Sequence, residues 1–122
     1  MLPKYLYMDD RTRAWLYEIL KAIQEIESYF SDHQKNLQHF SKHLIKRRAV
    51  ERNVEIVGFF LSRIARHIPD LKLSQVEKIT DTSRRLRTGD AHVSNELLWD
   101  ILANDLPRLK EEIHLMIIQT SQ

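Results

Sequence analysis

Apolar residues recur at helical spacing in long segments of the chain. One stripe within residues 11–30 follows steps of three and four, and its members are Leu16, Ile19, Leu20, Ile23, Ile26 and Phe30. Such a stripe predicts an amphipathic helix with one buried face, which Asp9 or Asp10 can cap. Residues 43–67 predict a longer helix, whose centre at 58–61 (GFFL) is apolar around more than half of its circumference. A helix with so much apolar surface lies either at the centre of a bundle or against a second subunit.

Further helices are predicted after Pro69, which cannot continue the hydrogen-bond ladder of the long helix. Ser74 and Glu77 stand at the spacing of a capping box, so they mark the start of the next helix. Gly89 is a natural stop for that helix, because glycine readily adopts the left-handed conformation at a helix end. Ser94 can then cap a final helical segment.

The last segment carries two residues that interrupt a simple helix. Asp105 and Pro107 are expected to restart or kink the chain before residues 108–118, which are again periodic. Between the first two long helices, residues 31–41 are polar and irregular, with a short helical turn expected around Phe40.

Composition agrees with this interpretation of the pattern. The 122 residues are 43% apolar, which is enough for a core, and they include only two glycines and three prolines. A sandwich or barrel needs many more turn residues. We therefore predict an all-α, up-and-down bundle of four to five helices in a single domain spanning residues 1–122.

Charge and cysteine content narrow the function classes. The net charge is only +2, from 19 basic and 17 acidic residues, so any contact with RNA or phosphate must come from local clustering. The absence of cysteine excludes disulfides, thiol chemistry and cysteine-based zinc sites. No apolar run approaches the length of a membrane span, and the first ten residues lack the core of a signal peptide. We expect a cytoplasmic protein without membrane association.

Metal and cofactor chemistry finds little support. His39 and His43 share a helical face at a spacing used in some metal sites, but no third ligand is evident. Glu111 and His114 form one Glu-x-x-His pair, whereas a di-iron bundle needs two such pairs and further carboxylates. Two glycines cannot build a P-loop, a dinucleotide fingerprint or a nucleophile elbow. We predict no metal and no cofactor.

The segment 83–99, SRRLRTGDAHVSNELLW, places arginines near a histidine. A neutral imidazole can take the proton of a ribose 2′-hydroxyl near pH 7, and a guanidinium can stabilise the charge that develops on phosphate. Arg87 and His92 are the candidate catalytic pair, and Arg84, Arg85 and Arg87 are the candidate phosphate-binding set. The alternative is that these arginines only complement the negative end of a helix. Spacing alone does not decide between these interpretations.

Three stretches of the chain resemble one family. They are residues 9–30, residues 48–58 (RAVERNVEIVG) and residues 93–113 (VSNELLWDILANDLPRLKEEI), and they look like the HepT-like branch of the HEPN superfamily. The resemblance implies a helical bundle that forms a symmetric homodimer with an active-site cleft at the dimer interface. It further implies a toxin ribonuclease that is paired with a small MntA-type nucleotidyltransferase antitoxin.

The family's site consists of Arg, Asn, a His four to six residues after the Arg, and often a Tyr two residues later, which the antitoxin is thought to adenylylate. Aligned without a gap, Ser83 takes the Arg position and Arg84 the Asn position. Thr88 then takes the His position and Asp90 the Tyr position, while Phe59 falls where a glutamate is common. The ungapped alignment therefore lacks the catalytic pair.

A shifted alignment restores the pair as Arg87 and His92. It places Ser94 at the Tyr position, and it leaves Gly89 and Asp90 between two side chains that should be held rigidly. Both alignments stay open.

Three functions follow as alternatives. The first is the toxin component of a toxin–antitoxin module, a metal-independent ribonuclease whose partners are a second copy, an MntA-type antitoxin and RNA. The second is a catalytically silent HEPN dimer that acts as the binding partner or substrate-binding subunit of a nucleotidyltransferase. A generic helical interaction domain is the third, although bundle packing requires neither Trp99 nor Pro107. The apolar surface of residues 54–61 independently favours a dimer along the long helix.

Overall fold

The computed structural model describes residues 8–30, 36–89 and 92–120, and its architecture is an all-α up-and-down bundle. The elements are α1 (Asp10–Ser28), α2 (Leu37–Lys42), α3 (Leu44–His67), α4 (Val76–Thr88), α5 (Asn95–Asp100), a π-helical turn (Ile101–Asp105) and α6 (Leu106–Thr120). Helix α3 packs against both α1 and α4, and α6 packs against α1. No strand occurs within the described ranges, which confirms the predicted fold class.

The predicted apolar stripes form the core between the helices. All six stripe residues of the first helical segment are buried, including Phe30, which lies just beyond the end of α1. From the other helices the core takes Val50, Val54, Val57, Leu61, Ile64, Ile79, Leu98, Ile101, Leu106, Leu109 and Ile113. Phe40 of the short helix α2 is also fully buried, so the turn predicted around it contributes to the core.

Most predicted helix ends are confirmed. The Asp9 carboxylate accepts a hydrogen bond of 2.8 Å from the amide of Thr12 at the start of α1. Ser94 caps α5 by accepting a bond of 3.0 Å from the amide of Leu97. Gly89 ends α4 with φ at +69°, a left-handed conformation that costs glycine little. These three ends depend only on groups close in the sequence.

The predicted capping box at the start of α4 is wrong. Ser74 directs both its amide and its hydroxyl to the carboxylate of Glu112 on α6, with the amide bond at 2.9 Å. The cap position is instead occupied by Gln75 in a left-handed conformation (φ +59°), without a capping bond from its side chain. A distant carboxylate thus takes the donors that the local motif would have used.

The predicted break near Pro107 takes the form of a π-helical turn rather than a restart. The amide of Leu106 donates to the carbonyl of Ile101, five residues earlier. The wider turn accommodates proline, whose ring would clash with the carbonyl four residues before it in a regular α-helix. Asp105, at the end of this turn, is buried and lies 2.7 Å from the amino group of Lys78 on α4.

The apolar segment 54–61 of α3 is mostly covered within one chain. Its valines and Leu61 are buried, while Ile56 and Phe60 are partly buried against the core. Phe59 is the large apolar residue of this segment that stays exposed, at 44%. The surface that favoured a dimer in the sequence is therefore largely used by the bundle itself.

Candidate functional site

A groove of about 680 Å³ lies between α3 and α4. The side of α3 contributes Gly58, Phe59, Ser62 and Arg66, and the side of α4 contributes Glu77, Thr80, Asp81, Ser83, Arg84 and Arg87. The two helices are consecutive and antiparallel, so the C-terminal half of α3 faces α4 along the groove. The site is thus formed by two helices of the bundle rather than by loops.

The floor of the groove is a close contact between two small residues. A Cβ atom added to Gly58 would lie 2.2 Å from the Cβ atom of Ser83, which real Cβ atoms essentially never approach so closely. The Ser83 hydroxyl donates a bond of 3.1 Å to the carbonyl of Glu55, and the residue is 2% exposed. A side chain at position 58 would force α3 and α4 apart.

Three arginines reach this groove from the two helices. Arg84 donates to the carboxylate of Asp81, in a pair that is exposed and therefore weak. Arg66 and Arg87 have no carboxylate within ion-pairing distance among the described residues. Glu77 also lines the groove, so the net charge of its lining is positive by one. Arg66 and Arg87 are the cations most available to an added phosphate.

Arg87 and His92 lie on either side of the end of α4. Arg87 is exposed in the last turn of the helix and lines the groove. His92 is exposed in the segment that precedes α5, and it is not among the groove-lining residues. The helix has already ended at Gly89, so the two candidates do not share a helical face.

The backbone around His92 is held by two arginines from different helices. Arg85 donates a bond of 2.9 Å to the carbonyl of His92, lies 3.9 Å from the carboxylate of Asp81, and is not among the groove-lining residues. Arg47 of α3 donates 2.7 Å to the carbonyl of Val93 and also donates to the side chain of Asn95. These bonds tie the segment before α5 to the C-terminal end of α4 and to the start of α3.

Arg47 and Arg66 are functional candidates that the sequence did not single out. The spacing of Arg47 and Glu51 predicts only a salt-linked helix face, and that pair is present at 2.7 Å. The reach of Arg47 to residues 93–95 has no signal in local spacing. Arg66 could have been found, because it follows Phe59 by seven residues and therefore lies on the same face of α3.

Comparison with known proteins decides the family. The sequence profile of the family described as Ribonuclease HepT-like matches residues 19–116. The chain belongs to the HepT-like family. A protein of Methanocaldococcus jannaschii named "Putative RNase MJ0127" is 26% identical over 110 residues, covering 86% of each chain. No solved structure matches this HepT-like chain.

The residues that the two alignments place at the positions of the HepT-like motif lie in different surroundings. In the ungapped alignment, the Arg position is Ser83, which is buried at the contact with Gly58 and donates its hydroxyl to the carbonyl of Glu55. Asp90, at the Tyr position, lies outside the described residues. In the shifted alignment, the Tyr position is Ser94, whose hydroxyl oxygen caps α5. Arg87 and His92 stay the candidate pair of this HepT-like chain.

The His39–His43 pair is engaged within the chain. The ring centroids are 5.6 Å apart, and the Lys46 amino group lies 3.0 Å from Nε2 of His39. Burial is the main cause that lowers the pKa of His39, followed by the charges of Lys46 and His43. Across the described ranges, no three His, Cys, Asp or Glu side chains come together in a group that could hold a metal.

None of the helices in the described part of the chain combines the length and the apolar character that crossing a bilayer requires.

Proposed function

We propose that this HepT-like protein is a metal-independent endoribonuclease that holds RNA phosphates in the α3–α4 groove. The observation that carries the proposal is the convergence of Arg66, Arg84 and Arg87 from two helices on one groove. Guanidinium groups are permanently charged and match the geometry of phosphate. Family membership, and the RNase activity in the name of the archaeal relative, supply the choice of RNA.

The proposed chemistry is an internal transfer at a phosphodiester. The imidazole of His92 takes the proton of a ribose 2′-hydroxyl as that oxygen bonds to the adjacent phosphorus. The bond to the 5′-oxygen of the next nucleotide breaks, that oxygen leaves with a proton from water, and a cyclic phosphate remains. Arg87 stabilises the negative charge that develops on the phosphoryl oxygens. The bonds from Arg85 and Arg47 to the carbonyls of residues 92 and 93 hold the backbone that carries the histidine.

The test is cleavage of RNA by the purified protein in the presence of EDTA. We expect His92→Ala and Arg87→Ala to lose cleavage by at least about a hundredfold, since acid–base groups and oxyanion donors each contribute on this scale. The matched control is His114→Ala, because His114 is exposed on α6 and lies outside the groove. Equal cleavage by the wild type and His92→Ala would remove the assignment of the base.

A second candidate is a catalytically silent HEPN dimer that binds a nucleotidyltransferase. The observation that favours it is Ser83, which occupies the Arg position of the ungapped alignment and is used to pack α4 against α3. Such a protein would co-purify with a small MntA-type nucleotidyltransferase and leave RNA intact. A well-folded monomer without that partner would count against this candidate.

The biological setting is part of the proposal, and family membership supports it. We place the protein as the toxin of a cytoplasmic toxin–antitoxin pair, with an MntA-type antitoxin as its partner. A homodimer of the family type would bring the grooves of two copies to one interface. Growth arrest on expression of the protein, relieved by co-expression of the antitoxin and retained by His114→Ala, is the expected result. If RNA cleavage causes the growth arrest, expression of His92→Ala without the antitoxin should leave growth unaffected.

A further inference from the structure

We infer that the groove binds single-stranded RNA and that Phe59 is the platform on which one unpaired base stacks. The inference deepens the proposed function, since both place RNA in the α3–α4 groove, but it concerns a residue and a substrate class that cleavage alone does not define. It starts from the position of Phe59, a large apolar side chain that is 44% exposed and lines the groove.

Two neighbours hold the ring of Phe59. The guanidinium carbon of Arg63 lies 4.4 Å from the ring centroid, in a cation–π contact. The ring of Phe60 meets that of Phe59 edge-on, at 5.1 Å and 85°. An exposed ring that is already oriented loses little conformational entropy when a base stacks on it. Arg63 adds a positive charge and a second planar group beside the ring.

The charges of the groove are arranged around this ring. Phe59 is adjacent to Gly58, which touches Ser83, so the ring lies at the same end of the groove as Arg84 and Arg87. Arg66 lies seven residues further along α3, about 10 Å away at 1.5 Å per residue. A strand whose base lies on the ring therefore has arginines on both sides of it for its phosphates.

This combination fits a single strand better than a duplex. Proteins that bind single-stranded nucleic acid combine a basic groove with aromatic rings on which bases stack. In an RNA duplex the bases are stacked on one another and paired, so no base face is free to meet the ring. A purely electrostatic site would need only the arginines, and the exposed ring is the feature it leaves unexplained.

The experiment measures binding with RNA analogues that cannot be cleaved. The probes are a fluorescent 2′-O-methyl oligouridine, an abasic strand with the same 2′-O-methyl backbone, and a 2′-O-methyl duplex of equal length. The proteins are the wild type, Phe59→Leu, Phe59→Tyr and Arg87→Gln. Tyr17→Leu is the matched control, because Tyr17 is also an exposed ring but lies on α1 outside the groove. The mass of each protein in solution is measured in the same samples.

We expect the wild type to bind the oligouridine more tightly than the abasic strand or the duplex. Phe59→Leu should weaken oligouridine binding about tenfold, as expected for the loss of one stacked base, and leave abasic binding unchanged. Phe59→Tyr should restore the wild-type affinity, and Tyr17→Leu should have no effect. Arg87→Gln should weaken both strands and reduce the dependence of binding on salt by about one phosphate contact.

The other outcomes have distinct meanings. If the wild type binds the oligouridine but Phe59→Leu binds it equally well, the stacking role is overturned while the proposed function stands. If the wild type binds none of the probes, RNA binding in the groove fails, and the proposed function fails with it. If Phe59→Leu weakens both strands equally and also changes the mass in solution, the ring serves contact between copies, and the stacking role is again overturned.

Discussion

Replacing Gly58 with alanine should destabilise the bundle, although alanine is the better helix former. The added Cβ atom would meet the Cβ atom of Ser83 at 2.2 Å and its hydroxyl oxygen at 2.4 Å. Because the Ser83 Cβ atom is attached directly to the backbone, relief requires α3 and α4 to move apart. Overpacking of this kind costs about 3 kcal/mol at the upper end of its range, and the gain in helix propensity is about 1 kcal/mol. The expected net loss is about 2 kcal/mol.

The assay is urea unfolding followed by circular dichroism, with thermal unfolding as a second measure. In Gly58→Ala, a loss of about 2 kcal/mol should lower the midpoint temperature of thermal unfolding by roughly 8 °C in a domain of this size. Ser83→Gly alone should cost about 1.5 kcal/mol, because it removes the hydrogen bond to the Glu55 carbonyl and places a glycine inside α4. In the double variant, the methyl group added at position 58 gains the space that the Ser83 side chain vacates, so the overpacking cost is relieved and the two changes should couple favourably by about 3 kcal/mol.

The other glycine supplies a matched control. Nothing lies within 4 Å of a Cβ atom added to Gly89, so Gly89→Ala is expected to cost about 1 kcal/mol through its positive φ alone. That cost should not change when Ser83→Gly is added. The reasoning is refuted if Gly58→Ala is as stable as the wild type, or if its effect and that of Ser83→Gly are additive within about 0.5 kcal/mol.

Two further predictions concern charged groups at the ends of helices. The hydrogen bond from the Thr12 amide, with smaller help from His67, lowers the pKa of Asp9 from 3.8 to about 2. Because this pKa is lowered on folding, the stabilisation by Asp9 is complete above pH 4 and is lost as the pH falls towards 2. Stability measured from pH 5 to 2 should therefore fall less steeply in Asp9→Asn than in the wild type or the control Asp10→Asn, and equal slopes would contradict the assignment. Arg47→Lys keeps the charge but not the planar fork that reaches Glu51, Val93 and Asn95, and it should cost about 1–2 kcal/mol. Hydrogen exchange at the amides of residues 92–95 should accelerate in Arg47→Lys but not in Arg48→Lys. Unchanged exchange in Arg47→Lys would show that the bonds from Arg47 do not hold this segment.

The sequence was sufficient for the helices because their signals are local. Successive members of the apolar stripe of α1 lie within about one turn of each other, and so do the partners in the caps at Asp9 and Ser94. Gly89 ends α4 for an equally local reason, its left-handed backbone. Such features form wherever the chain is placed, so the fold class and most helix ends could be predicted.

The contacts that local patterns in the sequence did not predict join residues that are far apart in the chain. Ser74 bonds Glu112 across 38 positions, and Arg47 bonds Asn95 across 48, so neither partner is visible in a local pattern. The apolar surface of α3 is likewise covered largely by neighbouring helices, which a local pattern does not reveal, and the homodimer stays a prediction. Packing decides which polar groups are left for caps and which apolar faces remain exposed.

The candidate site likewise has a part that could be predicted from the sequence and a part that depends on how the helices pack. The arginines at the C-terminal end of α4 could be predicted, because composition along one helix is local information. Their surroundings depend on how the helices pack, which places Arg84 and Arg87 opposite Phe59 and Arg66 across a groove and Arg85 against the backbone of His92. The physical reason is the contact between Gly58 and Ser83, which sets how closely α3 and α4 approach and hence which of their side chains meet.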